Sequence, residues 1–255
     1  MNLSLVQKAT NFAFLYHSNQ WRKHSDLPYI IHPMQVLQTI SGWGIHHDTT
    51  WIVALLHDTL EDTQILPDEI LTNFGKDVLK YVQELTFQSH HKAQERKIAK
   101  NQYLKDFDQK NIVSLVVKIA DRLCNTRDFL VGQQQYAKIY FHKADCLFEI
   151  LRQRKQEVID TYGNDVYSSM IYEIGELDGF LSCNSDVPNP QELVKKPFTL
   201  DDATCAIREM LLFGAENGSF LTLTSTKVLD NHIQIVLTHP EKHDVHATYT
   251  VIVSE

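Results

Sequence analysis

The 255-residue chain is 43% hydrophobic and 22% charged, with only 9 Gly and 7 Pro and no heptad run. That composition excludes disorder, collagen and coiled-coil arrays as the main state, and suits one good core plus an appendage. The net charge of −8 is uneven: residues 1–164 carry 19 Lys and Arg against 18 Asp and Glu, residues 165–255 carry 5 against 14. Neither part has the basic surplus of a protein that tracks a nucleic-acid backbone, so a small phosphorylated ligand is open and a nucleic-acid polymer is not expected.

From the N-terminus, MNLSLVQKATNFAF lacks the basic region, apolar run and cleavage site of a signal peptide. No apolar stretch reaches the roughly 18 residues of a membrane span. The four cysteines, Cys124, Cys146, Cys183 and Cys205, are scattered with no CxxC pair. A zinc ribbon or disulfide scaffold is therefore not indicated, and a cytoplasmic protein without membrane contact is expected.

Apolar spacing is helical from Leu3 to about Lys155. Val6, Phe12 and Leu15 recur in a first helix, and Val36, Leu37 and Ile40 follow Pro33, which fits a helix's first position. TTWIVALLHDTLED reads as one central buried helix, apolar on most sides, capped by Asp48 or Thr49. Leu66, Pro67, Ile70, Leu71 and Phe74 predict a short helix ended at Gly75, with Val78, Tyr81, Val82 and Leu85 forming the next. Ile112 to Leu123 predicts a further apolar helix, and periodicity resumes through Tyr140, Leu147 and Ile150. The expected class is mainly α, with an all-helical domain over 1–181.

SCNSDVPNPQELVKKP then reads as a linker over 182–198. Thr199 and Asp202 suggest a capping box before a helix carrying Ala203, Ile207, Met210 and Leu211. Three β-like runs follow, FLTLTST, HIQIVLTH and ATYTVIVS, so residues 199–255 are expected to form a small α+β unit. So small a sheet exposes an edge unless covered. It is therefore expected to dock on the helical domain or across a homodimer interface, and to supply no metal ligand. Its histidines (His232, His239, His243, His246) read as structural or solvated.

The chemistry concentrates in WIVALLHDTLED. On one helix, Glu61 lies above His57 and Asp62 above Asp58, since residues four apart share a face. Buried like charges at this spacing are costly unless a cation compensates them, and a divalent metal does so. PYIIHP places His32 beside Pro33, and VVKIADRLCNTRD sets Asp121 in an apolar helix with Lys118 or Arg122 as possible partners and Asn125 one turn on. His32, His57, Asp58 and Asp121 together make a two-imidazole, two-carboxylate set suited to Mn, Fe or Zn. His46-His47-Asp48 also contains a His-Asp pair, but in a polar turn, and reads as a cap.

These motifs resemble the HD-domain metal phosphohydrolases, and among them the RelA/SpoT-type (p)ppGpp hydrolases. The similarity runs in order through HSNQWRK, PYIIHP, ALLHDTLEDT, FGKDVLKYVQELT and KIADRLCNTRD, over roughly residues 5–155. By length it is closest to the stand-alone small alarmone hydrolases, metazoan SpoT homologues included. The resemblance implies an all-α bundle, one Mn²⁺ held by His32, His57, Asp58 and Asp121, and Glu61 and Asp62 as the catalytic pair acting on water. It implies nucleotide contacts from Arg22, Lys23, Asn125 and Tyr140. The stretch between Lys23 and Pro28 is short for the family, and the tail from about residue 182 has no counterpart in it. The expected reaction is hydrolysis of the 3′-pyrophosphate of (p)ppGpp to GDP or GTP and pyrophosphate. The alternatives are an HD phosphohydrolase acting on ppApp, NADPH or another phosphorylated metabolite, and a catalytically silent regulatory HD module.

Overall fold

The computed structural model describes residues 3–22, 27–87, 93–131, 133–183, 222–229, 232–238 and 246–252. The chain divides into two compact units, Met1–Pro190 and Gln191–Glu255. Within the first, the described elements are helices α1 (Leu3–Tyr16), α2 (Ile31–Gly42), α3 (Asp48–Leu56), α4 (Thr59–Asp62), α5 (Pro67–Phe74), α6 (Lys76–Leu85), α7 (Ala93–Lys105), α8 (Ile112–Leu130), α9 (Gln134–His142), α10 (Asp145–Gln153), α11 (Lys155–Tyr162) and α12 (Asn164–Cys183). No described helix is long and apolar enough to cross a membrane.

Helix α3 is the axle of this unit. Every residue from Thr50 to Leu56 is buried, and α3 packs against α1, α2, α6 and α8. Fully burying each large aliphatic side chain contributes about 1.5–3 kcal/mol, which is why a helix apolar on all sides belongs at the centre. Helix α8 is the second pillar, buried from Ile112 to Val117 and again at Ile119 to Cys124, and it contacts α2, α3, α6, α9 and α10. Asn111 caps it through a 2.9 Å bond accepted from the Val113 N–H. Gly75 ends α5 and opens α6 at φ +88°, a backbone conformation that Gly adopts without strain.

Local structure differs from the sequence expectation in five places. The expected continuous helix through HDTLED breaks after Leu56: His57 and Asp58 form a two-residue turn before α4. Thr59 drives the break by donating its hydroxyl to the Leu56 carbonyl at 2.7 Å, which competes with the helical ladder. Helix α2 starts at Ile31, so Pro33 is its third residue, where its missing N–H is still among the unbonded donors of the first turn. Asp48 opens α3 from inside its first turn, behind an extended His47, instead of capping it. Leu15 is exposed, and Ala9 and Ala13 supply the buried face of α1. Helix α7 went unpredicted because its segment is polar on most sides.

In the second unit, β1 (Thr222–Leu229), β2 (His232–Thr238) and β3 (His246–Ile252) form an antiparallel sheet in the order β1-β2-β3. The register pairs Leu229 with His232 and Gln234 with Thr250, with an irregularity between Leu223 and Ser225. The predicted linker from residue 184 onward, the predicted helix after Asp202, and His239 and His243 lie outside the described residues.

Candidate metal centre and active site

Three segments deliver the central side chains. His32 comes from the first turn of α2, His57 and Asp58 from the α3–α4 turn, and Asp121 from the middle of α8. The break in the helix places His57 and Asp58 side by side on the inner wall. His57 Nε2 lies 3.0 Å from Asp58 Oδ2 and 3.9 Å from Asp121 Oδ1. His32 Nε2 lies 3.1 Å from Asp121 Oδ1 and 3.5 Å from Asp58 Oδ2. One ligand atom each from His32, His57 and Asp58 falls within 4.8 Å of the others, and Asp121 reaches both imidazoles.

This donor set fits a divalent cation. His57 Nδ1 donates to the Ala54 carbonyl at 2.7 Å, which turns Nε2 toward Asp58 and Asp121. That Nε2 is buried and, despite its closeness to Asp58, makes no hydrogen bond within the protein. An oriented imidazole nitrogen without a protein hydrogen bond, beside the buried Asp121 and the partly exposed Asp58, suits a divalent cation.

The electrostatics agree. Burial pulls His57 down, but Asp58 and Asp121 outweigh it and lift the imidazole to about 9. Burial pushes Asp58 and Asp121 up, yet His57 and His32 hold the first well below the carboxylate range, and Lys118 and His32 hold the second there. In the metal-free chain His57 is therefore the proton store that neutralises the cluster. A cation must displace that proton, so metal affinity is expected to rise with pH, approaching tenfold per unit and levelling off near pH 9. Calorimetric titration in buffers of different ionisation heat measures it; a flat pH dependence counts against this assignment.

Around the four central residues lies a second layer. Lys118, half-buried and held charged by Asp121 against the cost of desolvation, bonds Asp121 Oδ2 at 2.8 Å. Asn125 donates to Asp121 Oδ1. Of the two cations the sequence offered to Asp121, Lys118 takes the role; Arg122 instead lies 4.1 Å from the Tyr140 ring centre. Tyr29, in the turn before α2, donates to Asp58 Oδ2 at 2.6 Å and lies 3.1 Å from Asp62 Oδ2. Glu61 accepts the Phe87 N–H at 2.8 Å, and burial raises its carboxyl above the usual value, against the opposing pull of that N–H and of Lys118.

Arg22 follows α1, where an isolated backbone bridge between Trp21 and Pro28 returns the chain toward the site. Its Nη2 donates to Asn125 Oδ1 at 2.8 Å and to Asp128. Thus His32, His57, Asp58 and Asp121 converge; Arg22 and Asn125 join them at one edge, and Asp62 through Tyr29. Tyr140 stands beyond Arg122, 5.0 Å from Phe129 between ring centres. Lys23 lies outside the described residues. Tyr29 and Asp128 were missed by sequence reasoning. Tyr29 carried a usable signal, since it precedes His32 by three residues in PYIIHP.

A groove of about 940 Å³ opens between α2, α8 and α12. Asp128, the partner of Arg22, lies on its wall, but none of the four converging residues does.

Comparison with known proteins places the chain. The family model HD_4, described as HD domain, matches residues 9–156. The guanosine-3′,5′-bis(diphosphate) 3′-pyrophosphohydrolase MESH1 of Xenopus tropicalis is 39% identical over 127 residues, 49% of this chain and 69% of that protein. The guanosine-3′,5′-bis(diphosphate) 3′-pyrophosphohydrolase of Aquifex aeolicus is 35% identical over 135 residues, 52% of this chain but only 19% of that much longer protein. A solved structure, of a metazoan ortholog of SpoT that hydrolyzes ppGpp and plays a role in starvation responses, superposes with TM-score 0.55 and 24% identity, over 68% of this chain and 95% of that one. That likeness shows the shared fold. With its HD motif on the α3–α4 turn and this run of similarity, the chain belongs to the HD-domain family, whose fold implies divalent-metal binding, and within it to the ppGpp hydrolases related to MESH1 and SpoT.

Proposed function

We propose that this protein hydrolyses the 3′-pyrophosphate of (p)ppGpp, yielding GDP or GTP and pyrophosphate, with one Mn²⁺ held by His32, His57, Asp58 and Asp121. The observation that carries the reading is the convergence of two buried imidazoles with two carboxylates, together with an acidic pair on the next helix. When bound, the metal supplies charge neutralisation and a water of lowered pKa.

The protein's own groups do the rest. Glu61 and Asp62 take the proton of the attacking water, and burial moves Glu61 toward the neutral range in which a carboxylate is a better base. Arg22, anchored through one nitrogen to Asn125 and Asp128, presents its remaining N–H groups to phosphate in a fixed fork. Lys23 adds a second cation, and Asn125 and Tyr140 flank the nucleotide. The substrate is a small nucleotide, and a guanine alarmone is preferred to ppApp or NADPH on the motif match. We place the protein in the cytoplasm, with residues 199–255 as a small α+β unit and a candidate homodimer contact.

Incubating the purified full chain with ppGpp and Mn²⁺ is expected to release pyrophosphate, to stop on chelation and to resume on adding Mn²⁺. Parallel assays with pppGpp, ppApp and NADPH rank the substrates. Unaffected turnover in excess chelator overturns the metal assignment, and failure on ppGpp with turnover of another substrate overturns the alarmone assignment.

A further inference from the structure

Tyr29 is a polar side chain of this site to which the proposed reaction gives no role. Its hydroxyl is 2.6 Å from Asp58 Oδ2, the same oxygen that faces His57 Nε2 at 3.0 Å and His32 Nε2 at 3.5 Å. It is also 3.1 Å from Asp62 Oδ2. One donor thus spans the carboxylate that turns toward the imidazoles and a carboxylate of the acidic pair on α4. Asp58 stands in the turn before α4 and Asp62 at the end of α4, where the Asp62 N–H donates to the Asp58 carbonyl at 2.9 Å, so the hydroxyl adds a side-chain tie to a backbone one.

The ring that carries this hydroxyl is fixed on several sides. It stacks on His17 with 4.8 Å between centroids and meets His32 edge-on at 5.9 Å. The Arg22 guanidinium stands 5.6 Å from its centre. His17 is itself buried and bonded through Nδ1 to Gln20 Oε1 at 2.7 Å, while Gln20 donates to the Asp62 backbone carbonyl. The Tyr29 N–H donates to the Gln20 carbonyl at 2.8 Å. The end of α1 therefore grips both Tyr29 and Asp62, and Tyr29 grips both acids.

We propose that Tyr29 is a positioning residue that sets the spacing between Asp58 and Asp62, so that the metal-facing and water-facing carboxylates are held in register by one hydroxyl on a His17 platform. This rests on the metal-dependent reading above and deepens it. Outer groups that orient a ligand typically contribute about 10–100-fold to metal affinity or activity.

The test uses the full-length Tyr29→Phe variant, which keeps the ring stack and removes only the hydroxyl. Mn²⁺ affinity is expected to fall about 10–100-fold by calorimetry. At saturating Mn²⁺, kcat for ppGpp is expected to fall by a similar factor while KM stays within about twofold, because a misplaced acid slows the chemistry without removing a nucleotide contact. Wild-type affinity and kcat, a loss confined to KM, or an effect on only one of the two readouts overturns the proposal. His17→Leu, which withdraws the platform and leaves the hydroxyl, is expected to move both readouts the same way by less. Wild-type values there count against the proposal even if Tyr29→Phe does not fold. Calorimetry needs no substrate, so weakened Mn²⁺ binding in a chain whose wild type fails to cleave ppGpp would sink the alarmone reading and leave the positioning of Asp58 standing.

Discussion

Asp58→Ala is expected to abolish stoichiometric Mn²⁺ binding and to drop ppGpp hydrolysis to the level of the chelated protein. The metal contributes several kcal/mol of charge stabilisation, and a loss of about 4 kcal/mol corresponds to roughly a thousandfold in rate. Asp58 is a better choice than Asp121 for this experiment. Its side chain is 17% exposed and its partners are His57, His32 and the Tyr29 hydroxyl, which can shed a proton or turn to water. Asp121 is 5% exposed and holds the largely covered Lys118 ammonium at 2.8 Å. Removing it leaves that cation without its carboxylate and both imidazoles without theirs, so lost activity would be entangled with lost stability. Asp58→Ala should therefore leave the melting temperature of the metal-free protein close to wild type while removing the stabilisation that Mn²⁺ gives the wild type. Full metal content and full turnover in Asp58→Ala would sink the metal assignment altogether.

Asp58 also marks how far the sequence could be read. The clustering of His32, His57, Asp58 and Asp121 was legible because their motifs stand in the order of a known family's and because a buried helix ending in adjacent His and Asp calls for a counter-charge. The core was legible for a similar reason, since a segment apolar all round such as TWIVALL has nowhere to go but the centre. What was hidden depends on partners distant in sequence. Nothing in HDTLED announces that the Thr59 hydroxyl will take the Leu56 carbonyl and break the helix. Lys118, three residues before Asp121, shares its helix face and takes the carboxylate, whereas Arg122, next to it, points elsewhere; that it meets the Tyr140 ring is decided by packing the sequence does not announce. Arg22 reads from its motif as a nucleotide contact, but nothing in that motif tells that Asn125 and Asp128, more than a hundred residues on, anchor it. Tyr29 reads as an aromatic of a family motif until its hydroxyl is found between two acids.

Glu61→Gln is expected to keep the metal and lose the reaction. The Phe87 N–H that Glu61 accepts at 2.8 Å can be met equally well by a glutamine carbonyl, so the local fold has no reason to change. Glu61 also makes none of the close approaches to the imidazole nitrogens that Asp58 and Asp121 make, so the Mn²⁺ affinity of the variant should match wild type. What disappears is a titratable oxygen, and general-base contributions of this kind amount to about 10²–10⁴-fold in rate. Burial raises the Glu61 carboxyl above its usual 4.5, opposed by Phe87 and Lys118. A raised carboxyl is protonated at a higher pH, so activity that depends on the ionised form is lost on the acid side earlier than for a glutamate at its ordinary value. The wild-type profile of kcat/KM should then show an acid limb above pH 4.5 at saturating Mn²⁺, and whatever rate survives in Glu61→Gln should lack it. Loss of metal with unchanged turnover per bound ion would instead move Glu61 into the ligand shell, and an acid limb that persists in Glu61→Gln would pass the base role to Asp62.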